Sequence, residues 1–149
     1  MSITTILFEK SEQNISSLVL RIGVGVILAA HGAQKLFGWF GGYGLEGTGQ
    51  WMASIGLEPG YLMALLAGAA EFFGGIALII GFLTRPAAIV SAFTMLVAMF
   101  SVHWANGFFL SNGGIEFALA LTLASATIAL QGAGKISVDG LISNKMAKA

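Results

Sequence analysis

The chain has 149 residues, of which 56% are hydrophobic and only 9% are charged, and its formal net charge is zero. That length suits one domain, and a neutral chain without a basic stripe gives no basis for a nucleic-acid partner. The absence of cysteine excludes disulfides, iron–sulfur clusters, thiolate metal sites and a cysteine nucleophile. A mean hydropathy of +0.86 is typical of a membrane protein.

Residues 1–16 precede the first long apolar stretch. Glu9, Lys10 and Glu12 stand where a secretory signal would carry its apolar region, and no small-residue cleavage site follows them, so we do not predict a signal peptide. The segment is predicted to be a short interfacial helix lying on the membrane, with a frayed tail as the alternative.

Four apolar stretches approach the ~20 residues that a helix needs to cross a bilayer. They cover residues 17–38, 61–83, 86–104 and 114–131, and the last two are near the short limit. We therefore predict an all-α, polytopic membrane protein with a four-transmembrane-helix bundle over residues 17–131. Residues 132–149 are predicted to be an exposed cytoplasmic tail.

Glycine is concentrated between the first two apolar stretches, in the sequence GGYGLEGTGQ. No strand precedes these glycines and no Gly-Lys-Ser/Thr element follows them, so they do not indicate a phosphate site, and we predict a loop over residues 39–60. Within the first two spans, small residues predict surfaces where helices pack closely. These residues are Gly23, Gly25, Ala67, Ala70, Gly74 and Gly75.

Lysine and arginine outside the spans predict the orientation. One side of the membrane receives Lys10, Arg85, Lys135, Lys145 and Lys148, and only Lys35 lies toward the other. Both termini are therefore predicted to be cytoplasmic. Aromatic residues are predicted to gather on the outer side, where they form either an interfacial belt or part of a ligand site: Trp39, Tyr43, Trp51, Tyr61 and Trp104.

Ionisable residues inside the apolar stretches indicate a site, because a charge at the middle of a span costs roughly 2.5–3.5 kcal/mol on insertion scales. Helical rise places Glu71 ~15 Å below the outer end of the second span, whereas Arg21 lies apart on the cytoplasmic side. Lys35 is predicted to pair with Glu71 or Glu116, or to extend into water. The predicted site contains His31, Gln34, Lys35, Glu71, His103, Trp104, Asn112 and Glu116.

A quinone head group needs hydrogen-bond donors at its two carbonyl oxygens and a route for protons. The histidine, carboxylic acid and amide groups at the membrane boundary supply both, so quinone is the cofactor that we predict. Haem held by His31 and His103 is disfavoured because two histidines in a chain are a weak signal. A metal bound by these two histidines with Glu71 and Glu116 is disfavoured equally. The alternative is a polar network that fixes the helix register and binds nothing.

Three stretches of the chain resemble the DoxX family of small membrane proteins: HGAQKLFGWFGGYGLEGTGQWMASIGLEPG, LAGAAEFFGGIALIIGFLTRPAA and MFSVHWANGFFLSNGGIEFALAL. The resemblance covers about residues 17–138. Its most specific strings are His31-Gly32-xx-Lys35-Leu36-Phe37-Gly38 and Val102-His103-Trp104-xx-Gly107-Phe108-Phe109.

This resemblance implies a multi-pass protein of the bacterial inner membrane with four helices. The resemblance also implies a redox function. Relatives include membrane subunits of thiosulfate:quinone oxidoreductase and members labelled as oxidoreductases in quinone and thiol stress responses. The resemblance does not identify catalytic residues that could be assigned to this chain.

We therefore predict a quinone-interacting redox protein, or the membrane subunit of a quinone-linked oxidoreductase, that works in the lipid bilayer with a partner redox subunit or as a homo-oligomer. Whether the chain is itself an enzyme is left open. A non-catalytic scaffold of a larger complex is the alternative, and a small transporter is less favoured.

Overall fold

The computed structural model describes residues 15–134 and 136–147, and the regular structure within these ranges is entirely helical. The all-α prediction is thereby confirmed, whereas residues 1–14 of the predicted interfacial segment lie outside the described ranges. The helices are α1 (Ile15–Phe37), α2 (Gly44–Ser54), α3 (Gly60–Ile80), α4 (Thr84–Ala98), α5 (Glu116–Gln131) and α6 (Val138–Met146).

Three helical segments are long and apolar enough to cross a membrane. They are α1, α3 and a 23-residue segment, Thr84–Asn106, in which α4 continues through a π-helical turn and a 3-10 turn. The fourth apolar helix, α5, has 16 residues and is ~24 Å long at a rise of 1.5 Å per residue. The structure thus contains three helices of membrane-spanning length and a shorter fourth.

The bundle is built from two closely packed helix pairs, α1 with α3 and α4 with α5. In the first pair the two backbones touch at glycines: a β-carbon on Gly75 would lie 2.5 Å from the amide nitrogen of Ala29, and one on Gly25 would lie 2.6 Å from the carbonyl oxygen of Gly75. Gly32 approaches α3 in the same way. Gly23, which was also predicted to pack, has no neighbour within 4 Å of its β-carbon position.

The glycine-rich segment after α1 contains a helix where we predicted a loop. Glycine lowers helix stability by about 1 kcal/mol relative to alanine, which is why the composition argues against α2. Packing reverses this preference, because α2 lies against the start of α3 and the β-carbon position of Gly49 is 2.9 Å from the Cα of Tyr61.

The interior is apolar, and so is much of the outer surface. Leu28, Leu78 and Ile128 are fully buried at the centre of the core. Large apolar side chains such as Phe93 and Leu130 are exposed on the outside of the helices, where a bilayer would cover them. The surface therefore suits a lipid environment.

Arg21 is buried at the end of the bundle away from α2 and forms the centre of a hydrogen-bond network there. Its guanidinium donates to the carbonyl oxygens of Leu78 (2.9 Å) and Ile79 (2.6 Å) at the end of α3. It also donates to Ala133 (3.1 Å) and Ile136 beyond α5. Arg21 is separate from the predicted site, as expected, but it ties the ends of three helices together.

The C-terminal segment is not uniformly exposed, contrary to our prediction. Asp139, in α6, is only 2% exposed, and its carboxylate accepts hydrogen bonds from the backbone nitrogens of Leu83 (2.8 Å) and Thr84 (2.9 Å). These N–H groups at the start of α4 would otherwise lack partners within the helix. Asp139 therefore docks α6 onto the bundle.

Candidate functional site

A cavity of about 430 Å³ opens inside the bundle at the end that carries α2. All five helices from α1 to α5 contribute to its wall, most of which is apolar. Small-molecule sites are concave, largely apolar cavities of ~300–1,000 Å³ with a few polar groups, and this cavity fits that description.

The structure brings five of the eight predicted site residues to this cavity: His31, Gln34, Lys35, Glu71 and His103. The other three, Trp104, Asn112 and Glu116, are not among the residues that line it. The cluster therefore forms around the two histidines and the Lys35–Glu71 pair. Whether these side chains bind a ligand stays a prediction.

Lys35 and Glu71 form an ion pair in the cavity wall. The Lys35 Nζ donates to Glu71 Oε2 at 2.6 Å, and the side chains are 22% and 4% exposed. The pair bridges α1 and α3, whose close glycine contact brings the two side chains within reach. Of the partners that we considered for Lys35, the structure selects Glu71.

His103 lies at the end of the π-helical turn Met99–His103, which continues α4. Turns of this kind occur often at functional sites. The ring Nδ1 is 2.7 Å from the carbonyl oxygen of Gly113. Because a carbonyl oxygen only accepts, Nδ1 carries the hydrogen, and the neutral ring keeps Nε2 as an acceptor.

Gln34 and His31 occupy the same face of α1 as Lys35. The Gln34 Nε2 donates to the carbonyl oxygen of Phe40 at 3.3 Å, so the amide is oriented by the turn that follows α1. The His31 ring lies 6.1 Å from the ring of Phe117 on α5. These contacts orient the polar face of α1 that lines the cavity and bring His31 close to α5.

Glu116 stabilises a loop outside the cavity. Its Oε1 accepts a hydrogen bond from the backbone nitrogen of Leu110 at 2.6 Å, and its own backbone nitrogen donates to Phe108 at 2.9 Å. Trp104 packs against Phe100 with ring centroids 5.0 Å apart and is 57% exposed. Asn112 is exposed in the same region.

A family model described as DoxX matches residues 16–104, more than half of the chain. The chain belongs to the DoxX family. Relatives include a Bacillus subtilis protein named "Putative oxidoreductase CatD", 34% identical over 86% of this chain and 87% of the relative. The Escherichia coli inner membrane protein YqjF is 32% identical over 91% of this chain and 98% of the relative.

A second Escherichia coli relative, the inner membrane protein YphA, is 32% identical over 82% of this chain and 86% of its own length. No solved structure matches the chain at a significant level. With these relatives and its apolar helices, the DoxX-family protein is a multi-pass protein of the bacterial inner membrane, and its outer faces contact the lipid bilayer.

Sequence reasoning missed several residues that line the cavity of this DoxX-family protein. Thr48 and Met52 come from α2, a helix that the glycine content of this segment did not lead us to predict. Phe117 lines the cavity, whereas we had predicted that its neighbour Glu116 would do so. Of the predicted outer aromatics, Tyr43 and Trp51 line the cavity, while Trp39, Tyr61 and Trp104 do not.

Within the described ranges, no three or more His, Cys, Asp or Glu side chains form a group that could hold a metal ion. Both histidines nevertheless line the same cavity. We disfavoured haem or a metal held by His31 and His103 from the sequence, and this stays a prediction.

Proposed function

We propose that this DoxX-family protein is a quinone-interacting redox protein that serves as the membrane component of a quinone-linked oxidoreductase. The observation that carries the proposal is the Lys35–Glu71 ion pair at 2.6 Å in the wall of a mostly apolar cavity. Charged groups inside a membrane protein are costly, and by default they mark a functional site.

The remaining cavity wall supports a flat ring as the ligand. Tyr43, Trp51 and Phe117 contribute aromatic side chains, which favour stacked or edge-to-face contacts with another ring. His31, Gln34 and His103 add polar groups that could orient ring oxygens. A quinone supplies reversible two-electron chemistry, and the residues of this chain would bind and orient its head group.

A partner redox subunit is part of the proposal. The chain contains no cysteine, so any thiol or sulfur chemistry has to take place on another molecule. One relative carries an oxidoreductase name, which supports a redox assembly of this kind. A homo-oligomer is the other assembly that we consider.

A non-catalytic scaffold is the second candidate function. The observation that favours it is the same ion pair, because Lys35 and Glu71 satisfy each other within the chain and could fix the register of α1 and α3 without a ligand. The two functions are distinguished by whether the purified protein carries a bound quinone and whether a partner protein co-purifies with it.

We further propose that the three helical segments of membrane-spanning length and the shorter α5 all cross the membrane and that both termini are cytoplasmic. The 16-residue α5 is short for this role, and local thinning of the bilayer would accommodate it. Arg85 and Lys145 lie at the chain positions that the positive-inside rule assigns to the cytoplasmic side.

Quinone content after mild purification tests the proposed function. The protein is purified from native membranes, its lipids are extracted, and quinones are quantified by mass spectrometry per folded chain. We expect close to one quinone per chain, and a severalfold lower content in Glu71→Gln because the Lys35–Glu71 pair is broken in the cavity wall.

The matched control is Glu46→Gln, since Glu46 is an exposed carboxylate on α2 that does not line the cavity. Its quinone content should equal that of the original protein. If the original protein carries no more quinone than an unrelated membrane protein treated in the same way, the quinone function is wrong. A stoichiometric partner that co-purifies without any quinone would then support the scaffold.

A further inference from the structure

The Nδ1–H group of His103 already has a hydrogen-bond partner in the protein backbone. It donates to the carbonyl oxygen of Gly113 at 2.7 Å. In the neutral form of the ring, only Nε2 is then left for a ligand, and it is an acceptor. Because Gly113 is a backbone partner, this tautomer is set by the fold of the loop between α4 and α5 and does not depend on a ligand.

The Lys35–Glu71 pair, which also lines the cavity, offers both kinds of group. The Lys35 ammonium is a donor with three hydrogens, and one of them is directed to Glu71 Oε2. The Glu71 carboxylate is an acceptor. A ligand oxygen beside this pair can thus be a carbonyl, which accepts from Lys35, or a hydroxyl, which can also donate to Glu71.

We propose that the cavity selects the reduced, hydroxyl-bearing form of its ring ligand, a quinol, over the oxidised quinone. This inference rests on the proposed function. A quinol has a hydroxyl at each end of the ring, so one hydroxyl donates to His103 Nε2 and the other fits the Lys35–Glu71 pair. A quinone would bring a carbonyl oxygen against Nε2, where two acceptors meet and neither is satisfied.

The selectivity has a measurable redox consequence. A quinone becomes a quinol by gaining two electrons and two protons, so tighter binding of the quinol raises the midpoint potential of the bound couple. Tenfold selectivity corresponds to about 30 mV for a two-electron couple. Leaving a buried acceptor unsatisfied is sufficient for a difference of about tenfold in affinity.

Binding of both redox forms to the same preparation tests the inference. The purified protein in nanodiscs is titrated anaerobically, at about pH 8, with a benzoquinone that carries one isoprene unit and with its quinol. A naphthoquinone pair with the same tail is titrated in parallel. We expect the quinol of at least one ring type to bind about tenfold more tightly than its quinone.

Variants assign the selectivity to His103. His103→Leu removes the Nε2 acceptor and should abolish most of the preference for the quinol. His103→Gln can present a donor as well as an acceptor, so it should reduce the preference, and it serves if the leucine variant does not fold. Asn106→Ala is the matched control, because Asn106 also donates to Gly113, at 3.3 Å, but does not line the cavity.

Each outcome has a definite meaning. Equal affinity for the two redox forms, or tighter binding of the quinone, overturns the inference while the proposed function stands. A preference that persists in the folded His103 variants, or disappears in Asn106→Ala, overturns the role assigned to Nε2. If neither form of either ring binds, the proposed function is itself wrong and the inference fails with it.

Discussion

At the scale of single residues, the ionisable side chains within the apolar stretches divide between the two ends of the bundle. Arg21 satisfies carbonyl oxygens at the ends of helices. Lys35 and Glu71 satisfy each other beside the cavity. The cost of burying charge explains why these residues have partners, and their spacing along the helices identified most of those that line the cavity.

The Lys35–Glu71 pair should behave as one energetic unit. Removing one partner of a buried ion pair costs about 3–5 kcal/mol because the other charge is left uncompensated. We expect Lys35→Met to lower the free energy of unfolding by about 3 kcal/mol, the lower end of that range, since Lys35 is partly exposed. Reversible unfolding in mixed micelles measures the change.

The double variant Lys35→Met with Glu71→Gln leaves no unpaired charge, so it should recover at least half of that loss. Glu46→Gln again serves as the control and should leave stability unchanged. Losses that simply add in the double variant would show that the two side chains are not coupled.

At the scale of helices, close backbone contact between α1 and α3 is what allows the ion pair to form. The spacing of small residues predicted close packing, and the backbones of α1 and α3 do come into contact at Gly25 and Gly75. The structure does not use Gly23 in this way. Composition cannot separate these cases, because the side of a helix that meets a neighbour depends on how the helices are arranged.

Alanine substitutions at Gly75 and Gly23 should therefore have opposite effects. Gly75→Ala places a methyl group 2.5 Å from the backbone nitrogen of Ala29, so we expect a loss of about 1–3 kcal/mol from overpacking. Gly23→Ala meets nothing within 4 Å and should gain up to about 1 kcal/mol from helix propensity. Thermal unfolding of the two variants measures both effects, and changes of the same sign would contradict the packing of α1 on α3.

The helix α2 is an element of the site that was not predicted from the sequence. Its glycines argue against a helix locally, and only its packing on the start of α3 makes them useful. Because α2 supplies Thr48 and Met52 to the cavity, this part of the wall was not predicted from the sequence, whereas Trp51 was already among the aromatic residues expected in a ligand site or an interfacial belt.

At the scale of the whole molecule, the two helix pairs enclose the cavity near α2, while the Arg21 and Asp139 networks join the chain at the other end. These ends should face opposite sides of the membrane. The natural absence of cysteine makes this directly testable with single introduced cysteines.

We expect a membrane-impermeant maleimide to label Asn112→Cys in intact spheroplasts and to label Met146→Cys only after lysis. Both positions are exposed, and α5 lies between them. Labelling of both positions in intact cells would show that α5 does not cross the membrane. The reverse pattern would show that the orientation is inverted, and a cysteine at Gln50, on the exposed side of α2, provides an independent check of the outer face.

The sequence by itself determined the helical class, the membrane environment and the residues within the apolar stretches that carry buried charge, because hydropathy and the cost of desolvation are properties of short segments. Only the tertiary structure decided that Glu71 and not Glu116 pairs with Lys35, that Arg21 and Asp139 join helix ends, and that α2 forms part of the cavity wall. Each of these depends on contacts between residues far apart in the chain, and local periodicity carries no information about which of two suitable partners the packed helices bring together.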